Sequence, residues 1–553
     1  MASPNFYNTC WMLSCFHEAK AYRRASQRVE PIQSKLLQEL VSKNRDSWFG
    51  RHHRFASINS VNDFQRAVPL STYEDYTNPV QRIARGESKV LTSQPVELLE
   101  PTSGSTSAEK LIPYTAGLRR SFQRAIRVWI WDLYSNRASL RKGKAYWSIS
   151  PLANAGRITE AGIPVGFDHD AGYLGGFERR LLARTMAVPP EIALCSTVPL
   201  AQYVTLFFLL RCSQLSLISI WSPTFLQELL NSLQSNWGTL CDDVESGSVD
   251  LKLSQSLPNT LKGPFEPQPI RARQLREIIS NSAGSSTWVK QLWPNLSMLS
   301  CWTDGPSRVY ADNLSRSLSG IEIQPKGLLA TEAFVSIPLL SHSAPALAVR
   351  SHFFEFLPTD PTGIAKGDGT LLAHELQVGS QYQVIVTTAG GLYRYQLMDQ
   401  VEVIGFADQV PLLKFLGKCD STSDLVGEKL NAAHVQTALN TAFEKHAISP
   451  TFYDLVAEKG DRPCYVLRVV DKVLANDKKK QEGLCSYIDN QLKGNPGYRY
   501  ARDLGQLGCL RLSSLEQDEA DDLNSERCSS LLQSGIAYGN IKPQVLSTTT
   551  LPG

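Results

Sequence analysis

The sequence predicts an α/β protein with a large N-terminal domain and a smaller α+β C-terminal one, on three observations. At 553 residues the chain exceeds one ordinary core. The short apolar runs at 146–149 and 215–221 read as interior strands separated by helical stretches, the pattern of a sheet covered by helices. Near the C-terminal quarter a polar, turn-like run, Gly417-Lys418-Cys419-Asp420-Ser421-Thr422-Ser423-Asp424, interrupts the apolar pattern. We therefore divide the chain into 1–417, a hinge at 418–424, and 425–553.

Taken in order, residues 18–40 read as helix because Ile32, Leu36, Leu37 and Leu40 recur at helical spacing. Residues 48–55 read as a turn. The adjacent His52 and His53 there, and Asp168-His169-Asp170 later, are expected to be packing or solvated groups, since no further ligand type joins either set. Residues 68–76 read as an extended piece followed by a capped helix start with Glu74 and Asp75 in its first turn. A strand is expected at 96–99 and a strong helix at 116–134, with Phe122, Ile126, Trp129, Ile130 and Leu133 on one face. A buried helix at 203–210 feeds the strand at 215–221. Charged and polar residues interrupt this apolar window, which argues against a membrane span. The Ser- and Pro-rich stretch 245–269 is irregular, and helix resumes at 270–280. Strands follow at 351–356 and 381–388, paired antiparallel, then at 401–406 and 412–416. A helix at 428–444 and a strand at 465–470 belong to the C-terminal domain.

Four features carry chemistry. Between an extended segment and a helix lies Thr102-Ser103-Gly104-Ser105-Thr106-Ser107-Ala108-Glu109-Lys110, whose hydroxyls and N–H groups can surround an anion while Lys110 adds charge. It lacks the second glycine and GK[ST] ending of a P-loop. Glu332 closes the apolar run from Gly327 and reads as a strand-end carboxylate, costly there unless coordinated or functional. Asp399 follows a Gly390-Gly391 turn just before a strand, where a carboxylate can accept from ribose hydroxyls. Lys542 stands in a turn just before the C-terminus.

Net charge is +3, with no arginine-rich patch interleaved with aromatics, so nucleic acid is not an expected partner. The eleven cysteines are scattered without a C-x-x-C, which suits free thiols in a reducing compartment. Residues 1–24 contain no uninterrupted apolar core of a signal peptide. The expectation is a cytoplasmic monomer.

An ordered set of motifs spans the chain from about Phe49 to Ser547. It includes Val68-Pro69 with Tyr73-Glu74-Asp75-Tyr76, and the Thr102–Lys110 loop running into Leu111-Ile112-Pro113-Tyr114-Thr115. Phe354-Glu355-Phe356-Leu357-Pro358, Gly391-Leu392-Tyr393-Arg394-Tyr395, Asn495-Pro496-Gly497-Tyr498-Arg499-Tyr500, Leu504-Gly505-Gln506-Leu507 and Ile541-Lys542-Pro543 complete it. This set resembles the adenylate-forming ligases and, more closely, the Gretchen Hagen 3 family of auxin-responsive acyl acid amido synthetases, in a bacterial-type form.

The resemblance implies a large adenylate-forming domain with β-sheets and a small β-barrel-like part, and a mobile C-terminal lid. It implies ATP and Mg²⁺, a small carboxylic acid and an amino acid as partners, and adenylation of the acid followed by amide formation. A ligase using coenzyme A or another amine, or a catalytically silent relative, are the alternatives. By the same resemblance Ser103, Gly104, Ser105, Thr106 and Ser107 hold phosphates, with Lys110 in support. Thr331 and Glu332 lie beside the α-phosphate, Glu332 on Mg²⁺. Asp399 takes the ribose, Lys429 contacts phosphate, and Lys542 is the mobile catalytic lysine. Lys418 and Asp420 occupy the hinge. Three residues depart from the family pattern: Ala108 and Met398 where glycines are usual, and Leu328 where plant enzymes carry a tyrosine packing on adenine.

Overall fold

The computed structural model describes residues 3–102, 110–148, 157–167, 174–249, 256–282, 285–360, 362–419, 421–460, 462–533 and 538–551. Among these, strands Lys144–Trp147, Leu215–Ser219, Met298–Cys301 and Glu322–Pro325 form, in that order, a parallel sheet. Both inner strands are buried along their whole length, because helices cover both faces. One cover is the helix Ala116–Asn136, whose Phe122, Ala125, Trp129 and Leu133 enter a core shared with the antiparallel sheet. Helices Val198–Arg211 and Pro223–Ser246 build a second core with Leu215 and Leu299.

The strands Leu371–Leu372, Phe353–Thr359, Gln381–Thr387, Tyr395–Ala407, Val410–Lys418, Ala346–Leu347 and Ser336–Ile337 follow one another across an antiparallel sheet. This sheet stands where the barrel-like part was expected. The C-terminal residues form a third sheet, ordered Arg511–Ser514, Cys464–Val470, Phe452–Glu458 and Leu546–Leu551, backed by helices Ala432–His446 and Lys478–Leu492. Contacts across to the larger part include stacked Tyr310 and Tyr453, 6.0 Å between centroids, and Asn313 donating to the Pro450 carbonyl.

Several elements differ from expectation. The helix read at 18–40 is two helices, Pro4–Ala25 and Val29–Asn44, broken where Ser26 turns its hydroxyl back onto the Arg23 carbonyl. Residues read as a turn at 48–55 include a short helix, Trp48–His52, capped by the Ser47 hydroxyl. His52 and His53 pack there against Trp48 and Phe49. The helix Tyr73–Ala84 begins with a capping box between Thr72 and Asp75. The strand expected at 412–416 runs on to Lys418, so Gly417 and Lys418 belong to the sheet. Gly417 has a packing reason: a Cβ there would lie 2.9 Å from the Ala433 Cβ, where the C-terminal helix abuts the strand. No described helix is long and apolar enough to cross a membrane.

Candidate active site

Glu332 lies at the tip of a hairpin turn and not, as the apolar run suggested, at a strand end. Ala330 and Ala333 exchange backbone hydrogen bonds of 3.0 and 3.3 Å, and Leu329 faces Phe334. Thr331 and Glu332 are the two residues thrown outward. The Tyr114 hydroxyl donates to the Thr331 carbonyl at 2.5 Å. Tyr114 lies on the strand Lys110–Thr115, so this bond ties the turn to the segment following the hydroxyl-rich loop. Ser103–Ser107 and Ala108, like Asp420 and Asp168-His169-Asp170, lie outside the described residues.

Asp399 sits within the strand Tyr395–Ala407, at a bulge that shifts its register against Gln381–Thr387. Met398 beside it adopts φ +58°, a left-handed conformation that glycine accepts without strain. Asp399 itself is buried, 1% exposed. Its cross-strand partner is Lys418, whose ammonium lies 3.0 Å from Asp399 Oδ1 and donates to the Leu397 carbonyl at 2.9 Å. Lys418, expected in the hinge, is thus the immediate counter-charge of Asp399.

Lys542 reaches the same place from the C-terminal part. Its ammonium lies 5.2 Å from the centroid of the Trp302 ring, and Arg527 holds its backbone carbonyl. Much of the residue is exposed, but protein crowds the ammonium, and this desolvation lowers its pKa; Asp399 opposes, Lys418 reinforces and Glu332 opposes. The Glu332 carboxyl is pushed up by burial and by Asp399, against the pull of Lys418, its own backbone N–H and Lys110. Burial, then the charge of Glu332, raises the Tyr395 phenol above its usual range. Glu332, Asp399, Lys418 and Lys542 therefore share one field, with Lys110 and Tyr395 at the Glu332 end. Lys429 stays outside it: exposed, at φ +45°, its backbone carbonyl accepting from Asn495. Leu328 is buried in the core, with Ser336 Oγ accepting from its N–H.

An apolar cavity of about 750 Å³, mouth included, adjoins these groups. Leu329 and Phe334, which bracket the Glu332 turn, wall one side, and Trp129, Trp147 and Trp221 wall others. Phe122 and Ile126 contribute from the helix Ala116–Asn136. Lys326 enters the wall with its ammonium 4.7 Å from the Trp221 centroid and 5.4 Å from that of Trp129, donating to Ser219 Oγ at 2.6 Å. Trp221 packs on Trp302, 5.8 Å between centroids, so the cavity and Lys542 share an aromatic boundary. Trp129 was visible on the apolar helix face, but Lys326, Trp147 and Trp221 carried no sequence signal, because strand ends distant in the chain assemble them.

Family models match three consecutive parts of the chain: the GH3 family N-terminal domain over residues 18–323, the central domain over 346–418 and the C-terminal domain over 433–550. The chain belongs to the GH3 family. Among its relatives, the indole-3-acetic acid-amido synthetase GH3.4 of Arabidopsis thaliana is 24% identical over 481 residues, covering 84% of this chain and 76% of that one. The synthetase GH3.10 of the same plant is also 24% identical, with 92% and 91% covered. The GH3 fold itself is shared with the GH3.15 acyl acid amido synthetase, at TM-score 0.80 and 20% identity over 96% of this chain and 94% of that one. A 2-hydroxyisobutyryl-CoA ligase in its postadenylation state aligns at TM-score 0.53 and 13% identity, over 92% and 93%. The GH3 chain thus has the adenylate-forming ligase fold.

Proposed function

We propose that this GH3 chain is an ATP-dependent acyl acid amido synthetase: it adenylates a carboxylic acid, releasing pyrophosphate, then passes the acyl group to the amine of an amino acid and releases AMP. The observation that carries this reading is the convergence of Glu332, Asp399 and Lys542 beside a tryptophan-walled cavity. Asp399 would accept from the ribose hydroxyls. Lys542, approaching from the C-terminal part, would stabilise the negative charge that builds on the α-phosphoryl oxygens as a carboxylate oxygen attacks phosphorus. Ser103–Ser107 would hold the phosphates, with Lys110 supporting, and Thr331 would lie near the α-phosphate.

The residues also fit Mg²⁺. Among the described residues no cluster of three metal-ligating side chains exists. Glu332 alone offers a hard carboxylate on an outward turn, which suits an ion taking one protein ligand and otherwise substrate oxygens and water. When bound, Mg²⁺ would neutralise phosphate charge. The flat aromatic walls favour a planar aromatic acid, in keeping with the indole-3-acetic acid and 2,4-DB named for the relatives. We further propose that 425–553 moves as a lid about 418–424 between the half-reactions, with Lys429 serving only in a second lid position. The eleven scattered cysteines, with no C-x-x-C, support a cytoplasmic setting.

Acid-dependent ATP–pyrophosphate exchange tests the first half, and product mass with an amino acid, coenzyme A or ammonia tests the second. Loss of exchange in both Lys542→Ala and Glu332→Ala supports the assignment; full exchange in both variants would sink it.

A further inference from the structure

The hairpin carrying Glu332 has an edge that its own strands leave unsatisfied. In an antiparallel pair, residues flanking a hydrogen-bonded pair turn their N–H groups outward. Ala330 and Ala333 are the bonded pair, so the Phe334 N–H faces away from the hairpin, into the buried core. His352 Nε2 accepts it at 3.1 Å. His352 is 0% exposed, and accepting at Nε2 places its proton on Nδ1, which has no partner among the described residues.

The rest of the surroundings hold that ring in place. Gln33 clamps the backbone on both sides, donating to the His352 carbonyl at 2.8 Å and accepting from the Phe354 N–H at 2.8 Å. Phe122 and Phe354 meet the imidazole edge to face, with centroids 5.8 and 5.9 Å away. Burial, with the nearby Arg124 charge, lowers its pKa to about 3, so the ring stays neutral and Nε2 stays an acceptor. An orphaned N–H in a core is costly. A leucine would avoid that cost but would leave the Phe334 N–H unmet.

We propose that His352 is a positioning residue: its bond to the Phe334 amide sets the hairpin that presents Thr331 and Glu332 to the reaction and Phe334 to the acid cavity. The proposal rests on the adenylation reading for its consequence, but the hydrogen bond is tested separately. Hydrogen exchange on the full chain, followed over peptides spanning 329–336, reads the bond without substrate. Pyrophosphate exchange titrated with Mg²⁺ reads the consequence. His352→Ala should lose at least about tenfold in protection at this hairpin and need at least about tenfold more Mg²⁺ for half-maximal rate. His352→Gln, which keeps an acceptor, should recover most of both, and His352→Leu should not. Should the alanine variant fail to fold, the glutamine and leucine variants decide the same question. Unchanged protection in the leucine variant, or lost protection with an unchanged Mg²⁺ requirement, overturns the proposal. Lost protection in a protein whose wild type exchanges pyrophosphate with no acid overturns the adenylation reading instead.

Discussion

Replacing Lys542 isolates one charge of the site without disturbing the core, because the residue stands at the rim, reached through a C-terminal turn. Its ammonium lies over Trp302 and shares a field with Asp399, Lys418 and Glu332. If it stabilises phosphoryl charge in the transition state, Lys542→Ala should lower the pyrophosphate exchange rate by about 10²–10³-fold, or about 2.7–4 kcal/mol, the worth of one preorganised donor. ATP binding measured by calorimetry should change far less, since the interaction strengthens only as charge develops. The pH profile adds a second check. Desolvation lowers the Lys542 pKa, and the cation is the active form, so activity is present below that pKa and lost as pH rises through it. In Lys542→Arg the guanidinium stays charged, so the alkaline fall attributable to this group should vanish even if the neutral-pH rate drops. A Lys542→Ala enzyme within threefold of wild type, or an arginine variant with the same alkaline limb, would refute this role.

Other expectations follow from the same structure. Arg394 and Glu355 form a buried pair, and Arg394 also donates to the Gln65 and Val68 carbonyls at 3.0 and 2.9 Å. Arg394→Met leaves Glu355 charged and buried, at a cost of about 3–5 kcal/mol. For a folding unit of about 400 residues that is a fall of about 3–6 °C in melting temperature by calorimetry. The neutral His352 makes acid destabilising: the unfolded chain takes up its proton near pH 6.5 while the folded chain resists to about 3, so stability falls as pH drops below 6.5. At pH 5 the loss is about 2 kcal/mol, and it should be missing from His352→Gln in paired denaturation curves. Lys326→Met should change which acids support exchange, costing about tenfold in kcat/KM for those with a polar ring substituent and sparing unsubstituted ones, with the ATP KM unchanged.

Local chemistry made some of this readable. The helix Ala116–Asn136 announced itself because its apolar residues recur on one face, and Leu215–Ser219 because both its faces are buried. The capped start at Tyr73 was legible because Thr72 and Asp75 satisfy each other locally. Tertiary context decided the rest. The run from Gly327 to Phe334 is apolar enough for a strand, yet it folds back at Thr331-Glu332, where Leu329 bridges Phe334 and His352 accepts from the Phe334 N–H. Lys418 looked like hinge polarity, but its pairing with Asp399 extends the strand. Asp399, Glu332 and Lys542 were each visible as single residues. Their common field, and the roles of Tyr395, Trp302 and Lys326 around it, depend on contacts between segments far apart in the chain.

The central claim is that a carboxylate oxygen becomes bonded to the α-phosphorus of ATP. A carboxylic acid labelled with ¹⁸O in both oxygens, incubated with the enzyme, ATP, Mg²⁺ and an amino acid, follows that oxygen directly. The account predicts one ¹⁸O in each AMP released, matched by one amide product, and none in pyrophosphate. Label in inorganic phosphate alongside ADP, or amide formation with unlabelled AMP, would contradict it.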